Sequence, residues 1–250
     1  MKKIILLALV ILSLTTLPLL AQKADKVKTK NGTLGVHPIH HATLALTYNN
    51  KTIDIDPTGG AHAFSGLDDP DIILITDIHP DHFNIETLKA IYTKKTVFIV
   101  PETVAEKLPK QFEEKTVILN NGETTTKMGI TIHAIPMYNL PQSPDAYHPK
   151  GRGNGYVLTI GGKRIYIAGD TEDTPEMRSL KNIDVAFIPM NLPYTMSVEQ
   201  AAEGVLAFKP KIVYPYHYKG SNIKKFKRLV NEKDADIEVR LRDWYPDSGD

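Results

Sequence analysis

The sequence predicts an α/β fold in which two similar halves pack sheet against sheet and the chemistry sits on loops along one edge. Three observations predict it. Strand-period and helix-period segments alternate along most of the chain. Each half opens with antiparallel-looking strands and then goes strand–helix–strand. Asp and His fall at the ends of the strands rather than inside them, where loops carry function.

The elements follow in order from the patterns. Residues 32–56 read as strands, with alternation over Ala42–Tyr48, a turn at Asn49–Asn50 and alternation again over Thr52–Ile55. Asp71–Ile75 is a continuous apolar strand followed by a short helix, Ile85–Ile91. Thr96–Val100 is a strand, and Pro101–Leu108 a helix with Pro in its first turn. Strands at Val117–Leu119 and Ile130–Ile135 bracket a turn at Asn121–Gly122. A Pro- and Gly-rich loop spans Pro136–Gly155, and strands return at Tyr156–Ile160 and Arg164–Ala168. A short helix (Pro175–Leu180), a strand (Val185–Ile188), a helix (Ser197–Phe208), a strand (Ile212–Tyr214) and a helix (Asn222–Val230) complete the pass. Ser197 with Gln200 three residues on is a capping box.

Composition narrows the chemistry. The 250 residues are 42% hydrophobic and 24% charged with a net charge of +1, so no broad basic surface is available for nucleic acid. With no Cys, disulfides, a thiolate nucleophile, an iron–sulfur cluster and Cys-ligated zinc are excluded. Any metal site must rest on His, Asp or Glu. Lys2 and Lys3 precede a largely apolar run from Ile4 to Leu20 that ends at Ala21, the parts of a secretory signal peptide. The competing reading is an uncleaved membrane anchor at the short limit for a spanning helix. Residues 1–21 are therefore expected to be a cleaved signal, 22–31 a short linker and 32–250 the functional domain. The protein is expected in the periplasm or secreted, with no stable membrane association after cleavage.

The densest chemical cluster follows the apolar strand. Asp77, His79, Asp81 and His82 set four possible metal ligands within six residues. In an extended segment positions 77, 79 and 81 face one side, and Pro80 bends the chain so that His82 can swing back. Two imidazoles and two carboxylates converging there call for a cation such as zinc, manganese or iron. A satisfied polar loop is the bland alternative, and the local density of ligands argues against it.

Asp77-Ile-His79-Pro-Asp81-His82 resembles the His-x-His-x-Asp-His motif of the metallo-β-lactamase fold superfamily, with Asp in place of the first His. Asp56–Pro57, Gly169-Asp170-Thr171 and His217 match that family's later landmarks in order, and His41–Ala42 matches the branch that includes the ascorbate-phosphate lactonases. The resemblance spans about Gly32 to Arg240 and implies a four-layer αββα sandwich. It implies two divalent metal ions, with Asp77, His79 and His148 at one, Asp81, His82 and His217 at the other, and Asp170 between. His148 is chosen over Asn139 because a neutral amide is a poor ligand for such ions; Asn139 stays open as a supporting group. Three carboxylates and a bridging hydroxide would neutralise two divalent cations, which favours harder ions than the all-His pattern does.

The reaction expected from that resemblance is hydrolysis of a small ester, lactone or phosphoester by a metal-activated water, with Asp81 and Asp170 as the catalytic carboxylates. His41, Lys150, Arg152 and Tyr194 are the candidates for binding substrate; an electropositive pocket around Arg152 would indicate phosphate, a more apolar one lactones. Two other readings compete. A β-lactam hydrolase fits export, but the absence of Cys and the Asp at position 77 set the chain apart from those enzymes. A non-catalytic metal-binding or sensory module would keep the ligands and lack a pocket beside them. The expected partner is a small molecule, with no nucleic acid; nothing in the sequence fixes the oligomeric state.

Overall fold

Apolar alternation at the start of each half builds a meander, and the strand–helix–strand units that follow extend it with parallel strands. In the computed structural model, which describes residues 23–246, the first half comprises β1 (Asp25–Thr29), β2 (Gly32–His40), β3 (Thr43–Tyr48), β4 (Lys51–Ile55), β5 (Ile72–Leu74), α1 (Ile85–Ile91), β6 (Val97–Val100), α2 (Glu102–Ala105) and β7 (Thr116–Ile118). The second comprises β8 (Thr124–Lys127), β9 (Ile130–Met137), β10 (Gly153–Ile160), β11 (Lys163–Ile167), α3 (Pro175–Arg178), β12 (Val185–Pro189), α4 (Val198–Phe208), β13 (Ile212–Tyr216), α5 (Ile223–Lys233) and β14 (Glu238–Val239). They form two seven-stranded sheets, ordered β1 to β7 and β14 to β8. In each sheet three antiparallel pairings are followed, along the chain, by three parallel ones. The two halves thus repeat one topology.

The inward residues of both sheets, among them Leu34, Leu46, Ile53, Ile72, Ile132, Leu158, Ile165 and Phe187, share one buried core. Each such side chain contributes roughly 1.5–3 kcal/mol by leaving water. On the outer faces, Leu88 and Ile91 of α1 and Val104 of α2 cover Ile73 and Phe98, while Val205, Phe208, Phe226 and Val230 of α4 and α5 cover Ala186, Ile188 and Val213. Helix, sheet, sheet and helix make the four-layer αββα sandwich. Ser197 Oγ accepts from Gln200 N at the start of α4, and Asn84 and Asn222 cap α1 and α5 in the same manner.

Two expectations are corrected. Asp25–Thr29, read as linker, is edge strand β1: Val27 is buried, and Arg242 and Tyr214 hold Asp25. Its alternating Lys residues masked the strand, because only one face is apolar. The Pro- and Gly-rich segment is also shorter than read, since β9 runs to Met137 and β10 starts at Gly153. The expected signal at residues 1–21 lies outside the described residues. No helix among those described is long and apolar enough to cross a membrane.

Asp54 of β4 faces the helical layer beside Ile73, almost fully buried, and its Oδ1 has no hydrogen-bond partner. Burial pushes its carboxyl up to about 8. A carboxyl raised in the folded state leaves stability intact below about pH 4 and erodes it as pH climbs toward 8. Asp54→Asn is therefore expected to raise the urea midpoint at pH 8, by roughly 2–4 kcal/mol in stability, with the gain vanishing near pH 4. An equal gain at both pH values would contradict this.

Candidate metal centre

Strand ends converge at one edge of the sandwich, where open α/β sheets present ligand-binding loops. Asp56 follows β4, residues 76–82 follow β5, Asp170 follows β11, His217 follows β13 and His148 lies in the loop between β9 and β10. After Pro80 the chain turns, with the amides of His82 and Phe83 both donating to the His79 carbonyl. That turn returns His82 to the side occupied by Asp77 and His79. His41, Asp56 and His217 all adopt positive φ, at 54°, 46° and 44°. Non-Gly residues held there store local strain, which is typical of functional sites.

Close contact between the two sheets holds this edge. Asn154 N donates to Thr76 O at 2.9 Å, and Tyr156 Oη donates to Ile75 O at 2.8 Å. A Cβ on Gly153 would stand 2.7 Å from that same Thr76 carbonyl, so only glycine lets β10 approach the residue preceding Asp77.

The seven side chains assigned to metal from the sequence come together in two groups, Asp81–His82–Asp170–His217 and Asp77–His79–His148. Asp170 lies between them. Its Oδ2 is 3.2 Å from both His82 Nε2 and His148 Nε2, and its Oδ1 is 3.2 Å from His217 Nε2. His82 Nε2, His148 Nε2, His217 Nε2 and Asp170 Oδ1 are nonetheless buried without a hydrogen-bond partner. Ligand atoms around a tetrahedral ion with bonds of about 2.1 Å stand roughly 3.4 Å apart, close to the spacing found here. These donors fit a divalent cation of the zinc, manganese or iron type.

Supporting groups fix the imidazoles. His82 Nδ1 donates to Asp56 Oδ2 at 2.8 Å, and Asp56 also accepts from Thr76 N and Thr76 Oγ1. This carboxylate–histidine pair leaves His82 Nε2 free as a ligand. Asn139 Oδ1 accepts from His148 N and lies 3.2 Å from His148 Nδ1, so Asn139 supports His148. His41 Nδ1 meets Tyr245 Oη at 2.7 Å and its Nε2 meets Asp81 Oδ2 at 3.1 Å. Tyr245, close to the C-terminus, carried no sequence signal; Asp56 was visible only as a family landmark.

The charges are strongly coupled. Burial alone would raise Asp170, but the His217 and His82 charges and the close imidazoles of His148 and His82 hold its carboxyl well below the usual range. Asp81 is likewise depressed, burial being overcome by the nearby His217 imidazole and the His41 hydrogen bond. Burial opposes ionisation of Asp77 too, and the His79 hydrogen bond with the His82 and Arg152 charges holds it at about 2. For His82 burial is outweighed by Asp170 and Asp56, which raise it well above the ordinary imidazole value.

Beside the donors opens a cleft of about 610 Å³ lined by His40, His41, His79, Asp81, Tyr147, His148, Tyr194, Lys219 and Tyr245, among others. Tyr147 and Tyr194 pack edge to face, 5.0 Å apart, as an exposed aromatic wall. His41 and Tyr194 thus face the cleft as expected. Lys150 and Arg152 do not line it. Lys150 pairs with Glu176 at 2.6 Å over the Tyr138 ring, and Arg152 is drawn inward to the buried Asp77 carboxylate. An unpaired carboxylate at that depth is costly, so the arginine goes to it rather than to the cleft. The neutral charge tally expected from the sequence omitted this guanidinium.

A Beta-lactamase superfamily domain model matches residues 36–217. The chain is 32% identical over 189 residues to a UPF0173 metal-dependent hydrolase of Thermus thermophilus, covering 73% of this chain and 83% of that protein. It is 33% identical over 210 residues to a UPF0173 metal-dependent hydrolase of Pyrococcus abyssi, covering 77% and 90%. Among solved structures, a protein of Parabacteroides distasonis named as a metal-dependent hydrolase matches with a TM-score of 0.80 and 43% identity, covering 88% of this chain and 98% of that one.

Proposed function

The chain belongs to the beta-lactamase superfamily and is a metal-dependent hydrolase, and from that premise we propose that it cleaves a small ester or lactone at a dinuclear centre. The observation that carries this reading is the set of buried, partnerless His and Asp170 atoms beside an open cleft that His148, Asp170 and His217 line. Asp77, His79 and His148 would hold one ion, Asp81, His82 and His217 the other, and Asp170 both. When bound, such cations acidify water and polarise the scissile oxygen. Asp56 and Asn139 keep His82 and His148 oriented with their Nε2 atoms inward. Asp81, whose side chain is partly exposed and whose Oδ2 lies near His41 and His217, would relay the proton released at attack to the leaving group. Tyr147 and Tyr194, packed against each other, form one wall against which the apolar part of the substrate rests, shielded from water.

A carbonyl centre is favoured over a phosphoryl one because Arg152 is committed to Asp77, leaving a largely aromatic and imidazole lining. A phosphoester is the second reading, supported by Lys219 at the rim. A sensory module fits less well, since a cleft adjoins the donors. Export to the periplasm or beyond belongs to the same proposal and is supported by the pattern of residues 1–21 alone. The test is a panel of lactones, carboxylic esters, phosphodiesters, phosphomonoesters and β-lactams run with chelator-treated enzyme resupplied with zinc, manganese or iron. Turnover of a lactone or ester that returns only with metal is expected; exclusive turnover of phosphoesters would overturn the carbonyl reading.

A further inference from the structure

We propose that Arg152 acts as a resident counter-cation in the Asp77–His79–His148 half, so that the two halves take divalent cations with unequal affinity. This inference rests on the dinuclear reading above. The guanidinium is bidentate on Asp77, with Nε 3.2 Å from Oδ1 and Nη2 3.1 Å from Oδ2. The same Nη2 lies 3.4 Å from His79 Nε2 and donates to Tyr147 O at 2.5 Å. One positively charged nitrogen therefore engages two of the three donor residues of that half. The other half has no such occupant: no Lys or Arg among the described residues is paired with Asp81 or Asp170, while His82, Asp170 and His217, like His148 of the first half, present partnerless atoms.

The consequence is electrostatic and steric. A cation at Asp77 and His79 must either displace the guanidinium or sit beside it, and like charges at that distance in a partly buried site repel strongly. The Asp81–His82–Asp170–His217 half fills first. The second ion binds more weakly, by roughly 10–100-fold. Because Arg152 also holds the Tyr147 carbonyl, its withdrawal loosens the backbone carrying one wall of the cleft, so occupancy of the second half and the position of that wall are linked. An Asp at position 77 in place of a neutral His gives the arginine its carboxylate partner, so the substitution and the guanidinium act as one device.

The test is calorimetric titration of the chelator-stripped chain with manganese, with the ions retained after gel filtration counted by mass spectrometry. Wild type is expected to show two steps at least tenfold apart. R152Q should tighten the second step and leave the first unchanged. R152K, which keeps the charge but loses the planar fork, should fall between them. Two equal steps in wild type, or a gap unchanged or widened in R152Q, would overturn the proposal while leaving the dinuclear reading intact. Failure of every variant and the wild type to bind any ion would instead remove the reading beneath it. If R152Q does not fold, the wild-type steps with R152K still decide.

Discussion

Asp170→Asn is expected to abolish hydrolysis, lowering kcat/KM by on the order of 10³-fold, and to empty the centre of cation in the same step. Among the described residues, Asp170 is the one carboxylate whose two oxygens reach imidazoles of both groups. The amide keeps the volume but loses the charge and half of the acceptor capacity. In the cation-free protein the same change should cost about 3 kcal/mol at pH 7, because His82 loses a buried counter-charge. A carboxyl depressed in the folded state contributes above its unfolded value near 4 and loses that contribution as pH falls. The stability gap between wild type and variant should therefore begin to narrow below pH 4 and close only as the pH passes the depressed folded value. Ion content and turnover at pH 7, with urea midpoints at pH 7 and in steps below pH 4, check all three parts. Retained ion content with lost turnover would move Asp170 from holding the ions to the chemistry alone.

Asp56→Ala should be nearly as damaging without touching a donor atom. Asp56 accepts from Thr76 N, Thr76 Oγ1 and His82 Nδ1, and all of these are buried. Alanine orphans the Thr76 amide and leaves Thr76 Oγ1 and His82 Nδ1 only each other, at 3.1 Å, so a loss of about 3 kcal/mol in stability and roughly 10–100-fold in cation affinity is expected. Asp56→Asn separates the two effects. Its carbonyl can still accept from Thr76 N, which preserves most of the fold. Its NH₂ facing His82 Nδ1 forces the proton onto Nε2, the atom needed for the ion. Near-native stability with weakened cation binding is the expected outcome; unchanged affinity would mean that the His82 tautomer is set elsewhere.

Much of this architecture was legible because the relevant signals are local. Apolar alternation marked β3 and β4, Ser197 and Gln200 marked the start of α4, and the ligand density of residues 77–82 needed no partner to be read. What escaped depends on contacts between distant segments. The β10 extension at Gly153 is dictated by the close approach of Thr76, more than seventy residues earlier, and its glycines read as loop. Edge strand β1 looks polar because half of it faces water. Arg152 lay in a basic, glycine-rich stretch that suggested substrate; only the fold brings Asp77 beneath it. The role of Asn139 depends on which way its amide faces His148, which a single sequence does not encode.

If the seven His and Asp side chains form a divalent-cation centre beside the cleft, anomalous X-ray scattering from crystals grown with manganese or zinc will locate it. A peak bonded to His82 Nε2, His217 Nε2 and Asp170 is expected, with a second, weaker peak toward His148 and Asp77. Crystals of catalytically active protein whose anomalous signal lies elsewhere, with His82 and His217 hydrogen-bonded to Asp170 instead, would contradict it.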